Sequence, residues 1–533
     1  VSPHPGQERP FHACAPVAAS ASVAPPAPAT SSATPSAGAS ASVVPPARAT
    51  APAPATARSG HSGPDGLGFL PVRALCAGFA AGTFTPLDVL EEVLGRARGV
   101  ARDLGAISFL DEGGAVEQAR ASTLRWRQGH QLGPFDGVPV TVKDSLAVRG
   151  LPSVRGSLLR RDAPPEDTDE PAVARLREAG AVIVAKTTMP EFAWSAVSDS
   201  PVWGVVRNAW DPTRTAGGSS GGAAVATALG VGTVGLGSDG AGSVRIPASF
   251  NGVVGLKATY GRIPATPSGA FGRLAHIGPL TRTVEDAALT LDVLARPDPR
   301  DPDALDAPRI SYAQVVDRAE AFTHALRIGF SPDLGSGIVD EGVAEVVRSA
   351  VDALTGAGVR VSGVRVELPD LGAEMVDLWS GVLAAELADL DAGEEAQLSP
   401  GLRAAVVHGG TLSATDFLRA STRAREGVAG PLADFHADHD VLLTPTLPVT
   451  AFGAGRQVPD RWGGADGGER TWMSWTPLTW PFNLTGQPAV SVPVGVDGDG
   501  LPVGVQVVAR HGHDEDALAV AALLERAVAG LGV

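Results

Sequence analysis

Cysteine, positive charge and long apolar runs are what this chain has least of, and each shortage closes a class of explanation. Two cysteines in 533 residues, Cys14 and Cys76, build neither a disulfide framework nor a metal cluster, which fits a reducing, cytoplasmic setting. No uninterrupted apolar stretch reaches the ~18 residues that a bilayer crossing needs. The nearest, Ala223 to Leu236, is broken by Thr and Gly and reads as a buried helix followed by a strand. The opening residues show no basic segment leading into an apolar one, so no secretory signal is expected there. The net charge of −16 argues against nucleic acid or an anionic membrane as partner. Histidine and cysteine show no metal-ligand spacing. No G-x-S-x-G elbow serves a Ser-His-Asp triad, and no G-K-[ST] closes a phosphate-binding loop.

What is present is the composition of an enzyme with a sizeable core, 44% hydrophobic and 19% charged. Residues 1–62 are the exception. They are dominated by Ala, Pro, Ser and Thr, cannot bury enough surface to offset their ordering entropy, and are expected to be disordered. That leaves 63–533 as the folded domain. Its first helix carries Leu70, Val72, Leu75, Cys76 and Phe79 at helical spacing, and Thr85-Pro86 opens a second, with Thr85 as N-cap. The run Val138–Val142 reads as a buried strand that delivers Lys143 and Asp144 at its end. Lysine is almost never fully buried unless paired or functional, so this one is singled out. Pro171–Ala179 followed by Ala181–Lys186 reads as one βαβ-type unit, which argues for a mostly parallel sheet. Further strands are expected at Ile328–Phe330, Val359–Val366, Asp440–Pro445, Ala489–Val492 and Pro502–Val508, and a closing helix from Asp514. Residues 371–435 read as a helical, lid-like region. Trp472, Trp475 and Trp480 form a cluster that reads as core sooner than as pocket.

The densest signal lies between Thr215 and Ala248. Two serine-bearing glycine turns, GGSSGG (Gly217–Gly222) and SDGAGSVR (Ser238–Arg245), flank a small-residue segment. Glycine at this density lets a ligand or another backbone approach closely. A serine on such a turn presents its hydroxyl beside backbone N–H groups that stabilise a developing oxyanion.

With the GVPVTVKD block ending in Lys143 and Asp144, and FNGVVGLKATYGRIP and HIGPLTRTVEDAA following, these motifs resemble the amidase signature family of serine hydrolases over about residues 65–530. The resemblance implies an α/β fold with a central, mostly parallel mixed β-sheet covered by helices on both faces. It also implies hydrolysis of a carboxamide through an acyl-serine, with a small-molecule amide as the partner and no cofactor or metal. Homodimers are common in the family.

Residue by residue, the resemblance makes Ser243 the nucleophile, Ser219 the bridging serine after a cis Gly218–Ser219 peptide, and Lys143 the ultimate base. A serine hydroxyl is a poor nucleophile at neutral pH and needs a partner to take its proton. Lysine accepts it only when uncharged, a state favoured by burial. The oxyanion hole would come from the N–H groups of Gly240, Ala241, Gly242 and Ser243, with Ala241 where the family has the first of two glycines. If that position needs a positive φ, alanine is strained. Ser220 would support the site by hydrogen bonding, and Asp239 and Arg245 would pair to brace the loop. Met189 and Phe192 match channel positions, with plain core packing the competing reading, and Gly217 and Gly218 would meet the substrate. The aromatic-rich loops hint at an apolar or aryl-bearing amide, ester or carbamate. Two other functions fit the same motifs: the glutaminase (A-type) component of a glutamyl/aspartyl-tRNA amidotransferase, and a catalytically silent scaffold. WTPLTWPFNLTGQP is closer to stand-alone amidases, and the intact Lys-Ser-Ser set disfavours the scaffold.

Overall fold

Short apolar runs bounded by glycine or proline become strands here, and their order in space decides where the polar residues meet. The computed structural model describes residues 66–266, 271–460 and 471–529. The expected disordered segment 1–62 lies outside the described residues, all of which fall in one compact unit. The strands are β1 (Ile107–Leu110), β2 (Pro139–Lys143), β3 (Val182–Thr187), β4 (Asp199–Ser200), β5 (Gly204–Val205), β6 (Val234–Asp239), β7 (Val254–Lys257), β8 (His276–Thr281), β9 (Ile328–Phe330), β10 (Val361–Gly363), β11 (Val441–Pro445), β12 (Ala489–Val496) and β13 (Pro502–Ala509). β4 and β5 pair with each other. The other eleven form one sheet in the order β1-β3-β2-β6-β8-β7-β12-β13-β11-β9-β10.

The class is the expected α/β with a mixed central sheet, but its parallel share is smaller than expected. Among the described residues four neighbouring pairs in this sheet are parallel (β2·β3, β2·β6, β9·β11, β9·β10) and six are antiparallel. The βαβ reading holds for β2 and β3. The middle of the sheet departs from it, because β12 and β13 form a hairpin and β7 and β8 run against their neighbours. Neither β7 nor β8 was foreseen as a strand, since glycines and a proline interrupt the apolar runs of VGLK and HIGPLT. One glycine is needed for the close pairing: a Cβ at Gly278 would lie 2.1 Å from the Leu256 carbonyl oxygen.

Pleat alternation sends successive residues to opposite sides. In β13, Val503, Val505, Val507 and Ala509 join an apolar cluster with Leu518, Ala521 and Leu524 of the Asp514–Ala529 helix. The residues between them face the other way, where Gly504 meets Ser249 and Gln506 meets Arg245 of the Arg245–Asn251 helix. Helices therefore cover both faces. The Pro86–Arg98 helix starts at Thr85 with a capping box closed by Asp88. Region 371–435 is helical as expected, built from Gly372–Glu386, Ala392–Glu395, Pro400–Thr411 and Ala414–Asp438. The strand expected over Val359–Val366 contracts to β10 at the sheet edge.

Candidate active site

Lys143 ends β2, a central strand between β3 and β6. Val140 and Val142 point into the cluster beneath the sheet, so Thr141 and Lys143 point to the opposite face. There the Lys143 amine is fully buried. Its Nζ lies 2.7 Å from Ser219 Oγ, 2.9 Å from Ser238 Oγ and 3.3 Å from the Ser238 carbonyl oxygen. Burial pushes its pKa down to about 7. The Asp239 carboxylate opposes that shift and the Arg155 guanidinium adds to it. The chain holds only three lysines, Lys143, Lys186 and Lys257, and all three are fully buried. Lys186 is occupied by Ser153 Oγ at 2.7 Å and Asp144 at 3.6 Å, and Lys257 by the Gln487 carbonyl.

Ser219 and Ser220 precede the Gly221–Ala228 helix, and the Gly218–Ser219 peptide is cis. Ser220 is a junction. Its hydroxyl donates to the Ser238 carbonyl at 3.1 Å and accepts from the Ser238 N–H at 3.3 Å, while its N–H donates to the Ser243 carbonyl at 3.0 Å. The Ser219 and Ser243 hydroxyls do not hydrogen-bond each other in this structure. In proton-relay sites generally, such contacts often tighten only when substrate is bound. Ser243 is 7% exposed, at the start of the turn into the Arg245–Asn251 helix.

The loop from Asp239 to Arg245 is held from within. Asp239 accepts from the N–H groups of Gly242 (2.8 Å) and Val244 (3.1 Å) and pairs with Arg245 through Nε (3.0 Å) and Nη2 (2.9 Å). Burial opposes ionisation, but Arg245 and Asn483 hold the Asp239 carboxyl well below the usual carboxylate range. Arg245 is further tied to Gln506 Oε1 (2.6 Å), Asn483 Oδ1 (2.7 Å) and the Thr479 carbonyl (2.9 Å).

Within the loop expected to form the oxyanion hole, Gly242 spends its N–H on Asp239. Among the described residues, the N–H groups of Gly240, Ala241 and Ser243 donate to no protein acceptor. The concern over Ala241 also resolves. The positive φ of this turn falls on Gly242 (φ 120°), and Ala241 is not among the non-glycine residues with positive φ.

Gly240 lies under an aromatic roof. A Cβ there would sit 3.2 Å from Trp379, which comes from the Gly372–Glu386 helix and packs against Phe271 and Trp472 with ring centroids 4.8 and 5.2 Å away. The other two tryptophans of the cluster are buried, Trp475 stacking on Phe250. Phe192 belongs to the same apolar cluster as Ala241 and Trp379, whereas Met189 is fully enclosed outside it. Gly217 packs against Phe250 and Ile246, and Gly218 against the Val197 backbone, so their Cα faces meet protein. Ser238, Asn483, Gln506, Trp379 and Arg155 were not singled out from the sequence. Ser238 sits inside the motif, but the others are joined to it only by the fold. Among the described residues one trio has metal-ligating reach, His513, Glu515 and Asp516, and none of them touches Lys143, Ser219 or Ser243.

Comparison with known proteins places the chain in a family. The family profile described as Amidase matches residues 88–518. The chain is 35% identical over 465 residues to an acylamidase of Rhodococcus erythropolis, covering 86% of this chain and 95% of that one. It is 35% identical over 486 residues to the A-subunit of the glutamyl-tRNA(Gln) amidotransferase of Deinococcus radiodurans, covering 86% and 97%. The crystal structure of a bacterial aryl acylamidase of the amidase signature family superposes with a TM-score of 0.79 at 26% identity, over 86% of this chain and 96% of that one. The chain belongs to the amidase signature family of serine hydrolases.

Proposed function

We propose that this amidase signature protein hydrolyses a carboxamide through an acyl-Ser243 intermediate, with Lys143 as the base and Ser219 as the relay. One observation carries the reading: a fully buried amine with its pKa near 7 lies 2.7 Å from the Ser219 hydroxyl. An uncharged amine has two N–H donors and one lone pair. Ser238 offers two acceptors, its carbonyl and its Oγ, which leaves the lone pair for the Ser219 proton. As Ser219 gives up that proton it takes the one on Ser243, whose oxygen then bonds to the substrate carbonyl carbon. The oxyanion that forms is met by the N–H groups of Gly240, Ala241 and Ser243. The proton on Lys143 returns through Ser219 to the leaving nitrogen, the C–N bond breaks, and the amine departs. Water repeats the sequence on the acyl-serine and releases the acid. The roof of Trp379, Phe271 and Trp472 favours an apolar or aryl-bearing amide, as does the similarity to acylamidases. The fluorophosphonate test is direct: the wild type is labelled at Ser243, and Ser243→Ala is not. A panel of anilides and primary amides assayed for product release gives the substrate class. Absence of labelling in the folded wild type refutes the serine mechanism.

A second reading is supported by the amidotransferase relatives: release of ammonia from glutamine for a partner protein. It predicts glutaminase activity that depends on a co-purifying chain, where the amidase reading predicts turnover by the isolated protein.

A further inference from the structure

Three of the four non-glycine residues with left-handed backbone among the described residues are Arg155 (φ 52°), Phe192 (φ 47°) and Ala193 (φ 59°). They adjoin one another: the Phe192 N–H donates to the Arg155 carbonyl at 2.9 Å, and the Arg155 guanidinium lies over the Phe192 ring, 5.2 Å from its centroid. Such backbone is strained and persists only where the surroundings enforce it, often at ligand sites. The enforcement is visible. The N–H groups of Val154 and Gly156, on either side of Arg155, bind the carboxylate of Asp144 at 3.2 and 3.3 Å, one residue from Lys143.

The side chain then reaches the roof. Arg155 Nη1 donates to Glu386 Oε1 at 2.7 Å. Glu386 lies seven residues, two helical turns, beyond Trp379 and on the same side of the Gly372–Glu386 helix. That helix is fastened a second time, to the segment that follows Phe192 and Ala193, by Trp379 Nε1 donating to the Trp194 carbonyl at 2.9 Å. Arg155 thus lies between the residues beside Lys143 and the helix that covers the oxyanion loop.

Its hydrogen bonding is incomplete on one edge. Nε is buried without an acceptor, and Nη2 meets none among the described residues. That Nε–Nη2 edge is the one this protein uses elsewhere to grip carboxylates: Arg125 on Asp136, Arg177 on Asp169, Arg245 on Asp239 and Arg300 on Asp298 all bind with Nε and Nη2. Arg175 and Arg510 also leave a buried Nε unmet, but they are tied to Glu178 and Asp440, and neither contacts Lys143, Ser219 or Ser243. A buried guanidinium donor without a partner is costly, and a planar carboxylate satisfies both nitrogens at once.

Resting on the amidase reading above, we infer that Arg155 is a specificity-determining residue whose Nε–Nη2 edge binds a carboxylate carried by the substrate away from the scissile bond, with Glu386 orienting the guanidinium from its other end. A carboxylate on the acyl part and one on the amine part share this chemistry, and the ligands of the test separate them.

Binding is measured by tryptophan fluorescence in the Ser243→Ala protein, which does not turn over. The probes are acetanilide (neutral), N-phenylsuccinamic acid (carboxylate on the acyl side) and 4-acetamidobenzoic acid (carboxylate on the amine side). One of the two acids is expected to bind at least tenfold more tightly than acetanilide. Arg155→Met should lower that ratio at least tenfold, Arg155→Lys less, because the charge stays while the fork is lost. Glu386→Gln should raise it severalfold by removing the competing negative charge. A ratio unchanged in Arg155→Met, or both acids binding no better than acetanilide, overturns the inference. If Arg155→Met does not fold, the Glu386→Gln ratio decides, and a fall in it refutes the assignment. Turnover of neutral anilides by the wild type is scored separately. Its absence would count against the amidase reading, while the binding ratios still judge Arg155.

Discussion

Replacing Asp239 by asparagine should damage this protein more than any other single-atom change in the loop, and the structure says how. Asp239 is fully buried and accepts from three loop N–H groups, those of Gly242, Val244 and Arg245, from the Arg245 guanidinium at two points, and from Asn483 Nδ2 at 2.9 Å. Asparagine nearly keeps the shape but removes the charge, leaving the fully buried Arg245 guanidinium without its counter-ion, a loss of about 3–5 kcal/mol. It also turns one acceptor into a donor that faces other donors, adding about 1–3 kcal/mol. The sum, about 4–8 kcal/mol, approaches the ~5–15 kcal/mol that holds a domain folded. Urea denaturation should therefore show Asp239→Asn unfolding at much lower denaturant, with loss of the fluorophosphonate labelling and amide hydrolysis proposed for the wild type. The double variant Asp239→Asn/Arg245→Met removes the stranded charge, so it should recover much of the stability and little of the activity, because Gly242 and Val244 are still poorly held. An Asp239→Asn protein within about 1 kcal/mol of the wild type would refute the reasoning, since a buried arginine without its carboxylate cannot be that cheap.

Other outcomes follow from the same site. Lys143 has its amine pKa lowered in the folded state, to about 7 against an unfolded value of about 10.4. Between those values the unfolded chain binds more protons, so stability rises with pH, and the penalty for burying the charge is fully present below pH 7. The stability of Lys143→Met minus that of the wild type should accordingly fall by about 2–3 kcal/mol from pH 7.5 to 9.5; paired denaturation curves check this, and a flat difference contradicts it. Gly242→Ala forces a side chain onto φ 120° and to within 2.5 Å of Thr479 Oγ1. Turnover should drop at least a hundredfold, with a stability loss of about 1–3 kcal/mol. Ala241→Gly should leave the rate within about threefold, since alanine is unstrained there; a large gain would show that the loop needs a different conformation.

The sequence announced the polar set because the motifs are local. Lys143 stands at the end of an apolar run, and Ser219 and Ser243 stand in glycine turns. The hydrogen bonds that hold those turns are not local. Arg245 meets Thr479, Asn483 and Gln506 more than 230 residues away, and no period or spacing marks those partners. β7 and β8 were illegible for a related reason: their glycines serve close strand pairing and resemble turn residues in one dimension. Gly242 illustrates a third limit, since only the fold reveals that its N–H is already taken by Asp239. One signal was legible and passed over. A chain of 533 residues with three lysines makes its surface cations from arginine, so each lysine it keeps invites the question of what its amine does in the interior.

That scarcity also makes the most direct measurement feasible. Protein grown with lysine isotopically labelled at the ε position gives three amine-adjacent resonances by NMR, and the one absent from Lys143→Met is Lys143. An uncharged base at the end of β2 predicts a titration midpoint near 7, matched by the pH at which anilide hydrolysis reaches half its plateau. A Lys143 that stays protonated beyond about pH 9 while the enzyme turns over at pH 7 would contradict it.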